Sequence, residues 1–119
     1  MARFEVQITQ DGDNMMVRLV GTGDMDAART LQRQLMPVVH RKGQVVVMDM
    51  TQLSYVTSVV LGIFFWLAGQ LHAQGRVLRL AGMTAPVARV LETACAKRAM
   101  EVYGSVSEAL TAPRTEPRA

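Results

Sequence analysis

Ser58 is the residue of this chain whose type and setting best suit a chemical role. It stands in Val56-Thr57-Ser58-Val59-Val60, at the edge of a dense apolar block from Val59 to Ala68. It has no flanking glycines, so the stretch is not the strained elbow that turns a serine into a hydrolytic nucleophile. Two uses remain. If a helix begins here, Ser58 or Thr57 is its N-cap, worth about 1 kcal/mol. Alternatively, the Ser58 hydroxyl accepts a phosphate, because a helix N-terminus offers free N–H groups and a positive partial charge. A phosphate adds about −1.5 to −2 charge at pH 7. On a binding surface that charge would oppose acidic groups, or force apolar contacts to face a solvated anion. Both uses stay open at this point, with Thr57 as the second candidate acceptor.

The other reactive side chains form no constellation. His40 and His72 lack a second ligand at metal-binding spacing, so no metal site is expected. Cys95 is the single cysteine. It cannot form an intramolecular disulfide, fits a reducing compartment, and reads as a buried structural thiol. Gly21-Thr22-Gly23 is too short for a phosphate-binding loop and lacks the downstream dinucleotide pattern. No cofactor site and no catalytic group are read, so the expectation is a non-enzyme.

Charge narrows the partners. The 119 residues carry a formal net charge of +3. Arg29, Arg33, Arg41, Lys42, Arg76, Arg79, Arg89, Lys97 and Arg98 are interrupted by acids, with no aromatic interleaving. This reads as a solvated mixed surface, not a nucleic-acid groove. Met50 to Gly75 holds no Asp, Glu, Lys or Arg, yet its dense part is shorter than the roughly 20 residues of a membrane span. The early acids Glu5 and Asp11 argue against a signal peptide. A cytoplasmic chain without direct membrane insertion is expected.

The elements that must position Ser58 follow from periodicity. Residues 3 to 9 and Met16 to Val20 read as a hairpin around Asp11-Gly12-Asp13-Asn14. Gly21-Thr22-Gly23 should break the second strand, and Asp24 or Asp26 can cap the next helix. Ala28, Leu31, Leu35 and Val38 give that helix an apolar stripe. Pro37 should kink or end it, and Gly43 should close it. Val45 to Asp49 reads as a strand buried on both faces and central in the sheet. A helix from Ser58 to Gln74 stops at Gly75. "RVLRLAG" is a strand, and "TAPVARVLETA" a helix with Thr84 at its cap and Pro86 in its first turn. "MEVYG" is a short strand. "SVSEAL" is a last helix capped by Ser105 or Ser107. The alternation β-β-α-β-α-β-α-β-α predicts an α/β fold: a four- to five-stranded, mixed, mostly parallel sheet with four helices mostly on one face. One domain over residues 1–112 and a disordered tail over 113–119 complete the expectation.

At about 100° per residue, Leu61, Phe64, Ala68 and Leu71 gather on the sheet side of the Ser58 helix, flanked by Phe65 and Leu67. Val59, Gly62, Ile63, Trp66, Gly69 and Gln70 fall opposite. A helix apolar nearly all round is covered or awaits cover, and Trp is a favoured interface anchor. The outward face is therefore read as an interface, with Trp66 at least partly accessible.

"VVVMDMTQLSYVTSVVLGIFFWLAGQLHAQG" resembles the central signature of STAS domains, above all the bacterial anti-sigma factor antagonists. That signature is an apolar strand ending in Asp, a Leu-Ser-Phe-hydrophobic step, Asp-Ser-Ser-Gly-Leu-Gly, and a helix ending near a Gly. Asp49, Leu53, Ser54, Tyr55, Val56, Ser58, Leu61, Gly62 and Gly75 occupy matching places. "RLVGTGDMDAARTL" is similar to the step before the family's first helix, with Gly21 and Asp24 matching, and "SVSEAL" to its closing helix. Thr57 stands where the family has Asp, Val59 replaces the second Ser, and Val60 replaces the Gly.

The resemblance implies a STAS-type fold and a partner-switching regulator. In the family a kinase-type anti-sigma factor phosphorylates the matching serine, and the phosphate dissolves the complex. Carried onto this chain, Ser58 is the phosphorylation site, and Asp24, Thr57, Ser58, Val59, Gly62, Ile63 and Trp66 form the partner surface. The partner is an anti-sigma factor and serine kinase, and a homodimer through the Trp66 face is a further possibility. Two alternatives stay open: a STAS subunit of a lipid-transport ABC complex, and a phosphorylation-independent, self-associating module.

Overall fold

The computed structural model describes residues 4–41, 43–93 and 100–113. Cys95 and residues 114–119 of the expected tail lie outside the described residues. The chain forms β1 (Glu5–Asp11), β2 (Asn14–Gly23), α1 (Met25–His40), β3 (Val45–Val56), α2 (Ser58–Ala73), β4 (Val77–Ala81), α3 (Ala85–Thr93), β5 (Glu101–Tyr103) and α4 (Val106–Thr111). The five strands lie in chain order. β1 and β2 pair antiparallel across the Gly12 turn, where φ is 59°. The other three pairs are parallel, as the β-α-β alternation predicts.

Along β3, alternate side chains go to opposite faces, and this divides the core. Val46, Met48 and Met50 join Met15, Val17 and Leu19 of β2, Leu78 and Leu80 of β4, and the buried faces of α1, α2 and α3 in one large cluster. Val45 and Val47 point the other way, to a small cluster with Ala81 and Ala109 under α4. Three helices therefore cover one face of the sheet and α4 covers part of the other.

Several local expectations are corrected. β3 does not end at Asp49 but continues to Val56, because β2 pairs with it that far. Nor does β2 break at Gly21-Thr22-Gly23; it runs through Gly23. Gly21 takes a φ of 110°, and an added Cβ on Gly23 would sit 2.9 Å from the Tyr55 carbonyl oxygen. α1 runs through Pro37 to a C-cap at Arg41, with Gly43 beyond it. Pro37 is exposed, so its ring faces solvent, while Leu35, Val38 and Val39 stay buried and hold the last turn on the core.

Arg76 and Arg79 are the clearest failures of the expected solvated surface: their relative exposures are 7% and 1%. Arg76 donates to the carbonyls of Gly43, Val38 (3.1 Å) and Val39 (3.3 Å) and to Gln74 Oε1 (2.7 Å). It thereby satisfies orphan carbonyls at the end of α1. Burial lowers its pKa from the usual guanidinium value.

Candidate functional site

The sheet delivers two loops to one place. β2 ends at Gly23 and β3 at Val56, and these residues are register partners. β4 makes its last β3 pair at Asp49, so the end of β3 and its β2 partner stand beyond the rest of the sheet. The carboxyl ends of parallel strands are where α/β sheets most often bind.

Three hydrogen bonds hold the loops together. The Thr57 amide donates to the Gly23 carbonyl at 2.9 Å. Ser54 Oγ donates to the Gly21 carbonyl at 3.0 Å, and Thr22 Oγ1 and Ser54 Oγ are 3.0 Å apart. The close Gly23–Tyr55 approach needs the missing Cβ. From the next loop, Thr84 Oγ1 donates to the Leu53 carbonyl at 3.0 Å. Thr84 keeps the expected cap position, its carbonyl accepting from the Ala88 amide at 2.9 Å, while its hydroxyl ties the start of α3 to β3. Ser54→Ala should cost about 1 kcal/mol of stability by urea titration, because an exposed Gly21 carbonyl can find water. A loss above about 3 kcal/mol would show that the bridge carries far more of the fold than this geometry implies.

Two caps then orient the side chains. Asp24 is the N-cap of α1, with Oδ1 accepting from the Ala27 amide at 2.9 Å. Thr57 is the N-cap of α2, with Oγ1 accepting from the Val60 amide at 3.3 Å. This settles which hydroxyl caps α2. Thr57 is spent on the helix, whereas Ser58 is the first helical residue and exposed, with no side-chain hydrogen bond among the described residues. The Leu61 amide bonds the Thr57 carbonyl. No acidic residue lies in the first turn of α2.

The surroundings are apolar. Among the described residues the exposed large hydrophobic side chains are Met25 (61%), Tyr55 (48%), Val59 (44%) and Met36. The first three lie at this edge: Met25 follows Asp24, Tyr55 pairs with Thr22, and Val59 follows Ser58. Met25 and Tyr55 are absent from the surface inferred from sequence. Strand pairing is the signal that brings them in, and it cannot be read while β3 is taken to end at Asp49.

α2 itself partly departs from its wheel. Val59 and Gly62 are exposed as expected, and a Cβ on Gly62 or Gly69 would meet nothing within 4 Å. Ile63 is not outward: it is buried at 9% exposure, with Val60, Leu61, Phe64, Leu67, Ala68 and Leu71. α2 contacts α1 as well as the sheet, so its buried arc is wider than one face. Trp66 is half-buried and packs on the rim of the large cluster, as does Phe65. The site thus brings together Asp24, Thr57, Ser58 and Val59, with Gly62 one turn on. Trp66 stands farther along the helix, and Ile63 is core. His40 and His72 are exposed, and no group of three or more His, Cys, Asp or Glu that could hold a metal occurs among the described residues.

A family model for the STAS domain matches residues 5–109. The chain belongs to the STAS domain family. Among solved structures it is similar to an anti-sigma factor antagonist from Mycobacterium paratuberculosis, with 19% identity over 95% of this chain and 96% of that one, and a TM-score of 0.86. It is also similar to a substituted form of RsbS from Moorella thermoacetica (21% identity, 88% and 91% covered, TM-score 0.74). A third is the Bacillus cell fate determinant SpoIIAA in its phosphorylated form (16% identity, 91% and 96% covered, TM-score 0.68). At these identities the likeness establishes the fold. No curated protein matches the sequence.

Proposed function

We propose that this chain is a non-enzymatic, cytoplasmic regulator of partner switching: an anti-sigma factor antagonist that binds a kinase-type anti-sigma factor through the edge around Ser58 and is released when Ser58 is phosphorylated. The observation that carries the reading is the division of labour at the start of α2. Thr57 caps the helix, which leaves Ser58 exposed and without a side-chain hydrogen bond among the described residues, at the edge that also carries the exposed Met25, Tyr55 and Val59. A partner that covers this edge around the start of α2 would also cover the Ser58 hydroxyl. A dianion there would have to be desolvated without a charged partner from this chain, which disfavours the complex. Thr57, in place of the family's Asp, preserves the cap without its charge. No helix among the described residues is long and apolar enough to cross a membrane, and the reading requires none.

The test is phosphorylation by a cognate kinase-type anti-sigma factor, with ATP, and site mapping by mass spectrometry. One phosphate on Ser58, with loss of the kinase–antagonist complex, is expected. Modification only at other residues, or no modification by a kinase active on another antagonist, would overturn the phosphorylation switch. Capture of a transport ATPase in place of an anti-sigma factor would favour the lipid-transport alternative.

A further inference from the structure

α4 is a helix of six residues on the face of the sheet away from α1, α2 and α3. Isolated helices much shorter than about 12–15 residues do not hold in water, so α4 depends on what it docks against. Its apolar footing is small. Ala109 is its one fully buried residue, set on Val45, Val47 and Ala81, with Val106 and Leu110 partly buried beside them.

Arg79 supplies the rest. It lies in β4 at 1% exposure and reaches the C-terminal end of α4. Nη1 donates to the carbonyls of Ala109 (2.8 Å) and Ala112 (2.9 Å), and Nη2 to that of Pro113 (3.0 Å). Nε donates to Glu101 Oε1 at 2.9 Å, an ion pair on the neighbouring strand. The guanidinium lies 5.3 Å from the Tyr103 ring centroid, and the Tyr103 hydroxyl donates to the same Glu101 oxygen at 2.8 Å. A buried cation at a helix C-terminus meets the orphan carbonyls and the negative end of the helix dipole together. The first residue of the expected tail, Pro113, is bonded here too.

We propose that Ser105–Pro113 is a strap that opens as a unit without unfolding the domain, that Arg79 is its fastener, and that opening uncovers a second apolar face of Val45, Val47, Ala81 and Tyr103. One feature makes the opening local. The large core lies wholly on the other side of the sheet and contains nothing from α4. Local units of this kind open at a fraction of the global cost.

Native-state hydrogen exchange on the full chain tests this. In the unaltered protein the amides of Val106–Thr111 that are protected by the helix should exchange at least tenfold faster than those of Val46–Met48. Arg79→Met should speed strap exchange by a further tenfold or more, raise binding of an apolar dye, and leave the β3 and α1 amides protected. Arg79→Lys should fall between, since an ammonium cannot span three carbonyls and Glu101. Strap amides that exchange only with the core, or an Arg79→Met protein whose strap keeps its protection, would overturn the proposal. If Arg79→Met does not fold, Ala109→Asp reads the same point by placing a charge under α4 away from the guanidinium. Loss confined to 105–113 supports the strap, and loss across the sheet overturns it.

Discussion

Phe64→Ala should destabilise the domain by about 3–5 kcal/mol, a large share of the about 5–15 kcal/mol that holds a domain of this kind. Phe64 is fully buried at the middle of α2, within the large cluster between helices and sheet. Its removal leaves a cavity within that cluster, whose other members β-strands and packed helices fix in place, so collapse recovers little. Trp66, two residues on, should behave differently in spite of its greater size. It is half-buried and touches only the rim of the same cluster. Trp66→Ala should cost about 1–2 kcal/mol, roughly half of a fully buried large side chain. Urea titration of both variants separates them. A Trp66→Ala loss equal to that of Phe64→Ala would make α2 core on both faces, and the outward face would lose its claim as an interface.

The contrast between those residues marks how far the sequence is legible. Element order, the parallel sheet and the apolar stripe of α1 follow from periodicities that burial imposes directly. Ile63 does not, because a single wheel assumes one buried face, and α2 has a second neighbour in α1. The far half of β3 is hidden for another reason. From Met50 to Val56 its buried residues are Met50, Leu53 and Val56, a spacing of three made by register shifts against β2 between Arg18 and Val20 and between Gly21 and Thr22. Neither a period of two nor a continuous apolar run describes it. That half carries Ser54 and Tyr55, whose place beside Thr22 and Gly21 follows only from the strand pairing. Arg76 and Arg79 are illegible for a third reason. Each side chain is buried by carbonyls from the ends of distant helices, and no local pattern distinguishes such an arginine from a solvated one. Ser58 was legible as a candidate, whereas its freedom from the cap was not. Either hydroxyl suits an N-cap, and only the extended backbone of Thr57, with φ −86° and ψ 166°, decides between them.

That freedom sets the size of the effect expected at the site. If the proposed function holds, Ser58→Glu should weaken binding to the proposed anti-sigma partner by about a hundredfold to several-thousandfold. A carboxylate buried under a partner at this edge without a counter-charge corresponds to about 3–5 kcal/mol, and each 1.4 kcal/mol is tenfold in affinity. The same change should barely affect folding, since position 58 is exposed and a negative charge in the first turn of a helix is favourable. Ser58→Ala should bind as the unaltered protein does and resist release by the kinase, because the capping hydroxyl belongs to Thr57. Thr57→Ala should do the reverse. It loses about 1 kcal/mol of stability with the cap, keeps the Ser58 hydroxyl, and remains a substrate. Titration calorimetry against the isolated anti-sigma factor, with a urea curve for each variant, reads all three. Ser58→Glu bound at full affinity would place the interface elsewhere on the domain, and Ser58→Ala that loses stability in place of Thr57→Ala would reverse the assignment of cap and switch.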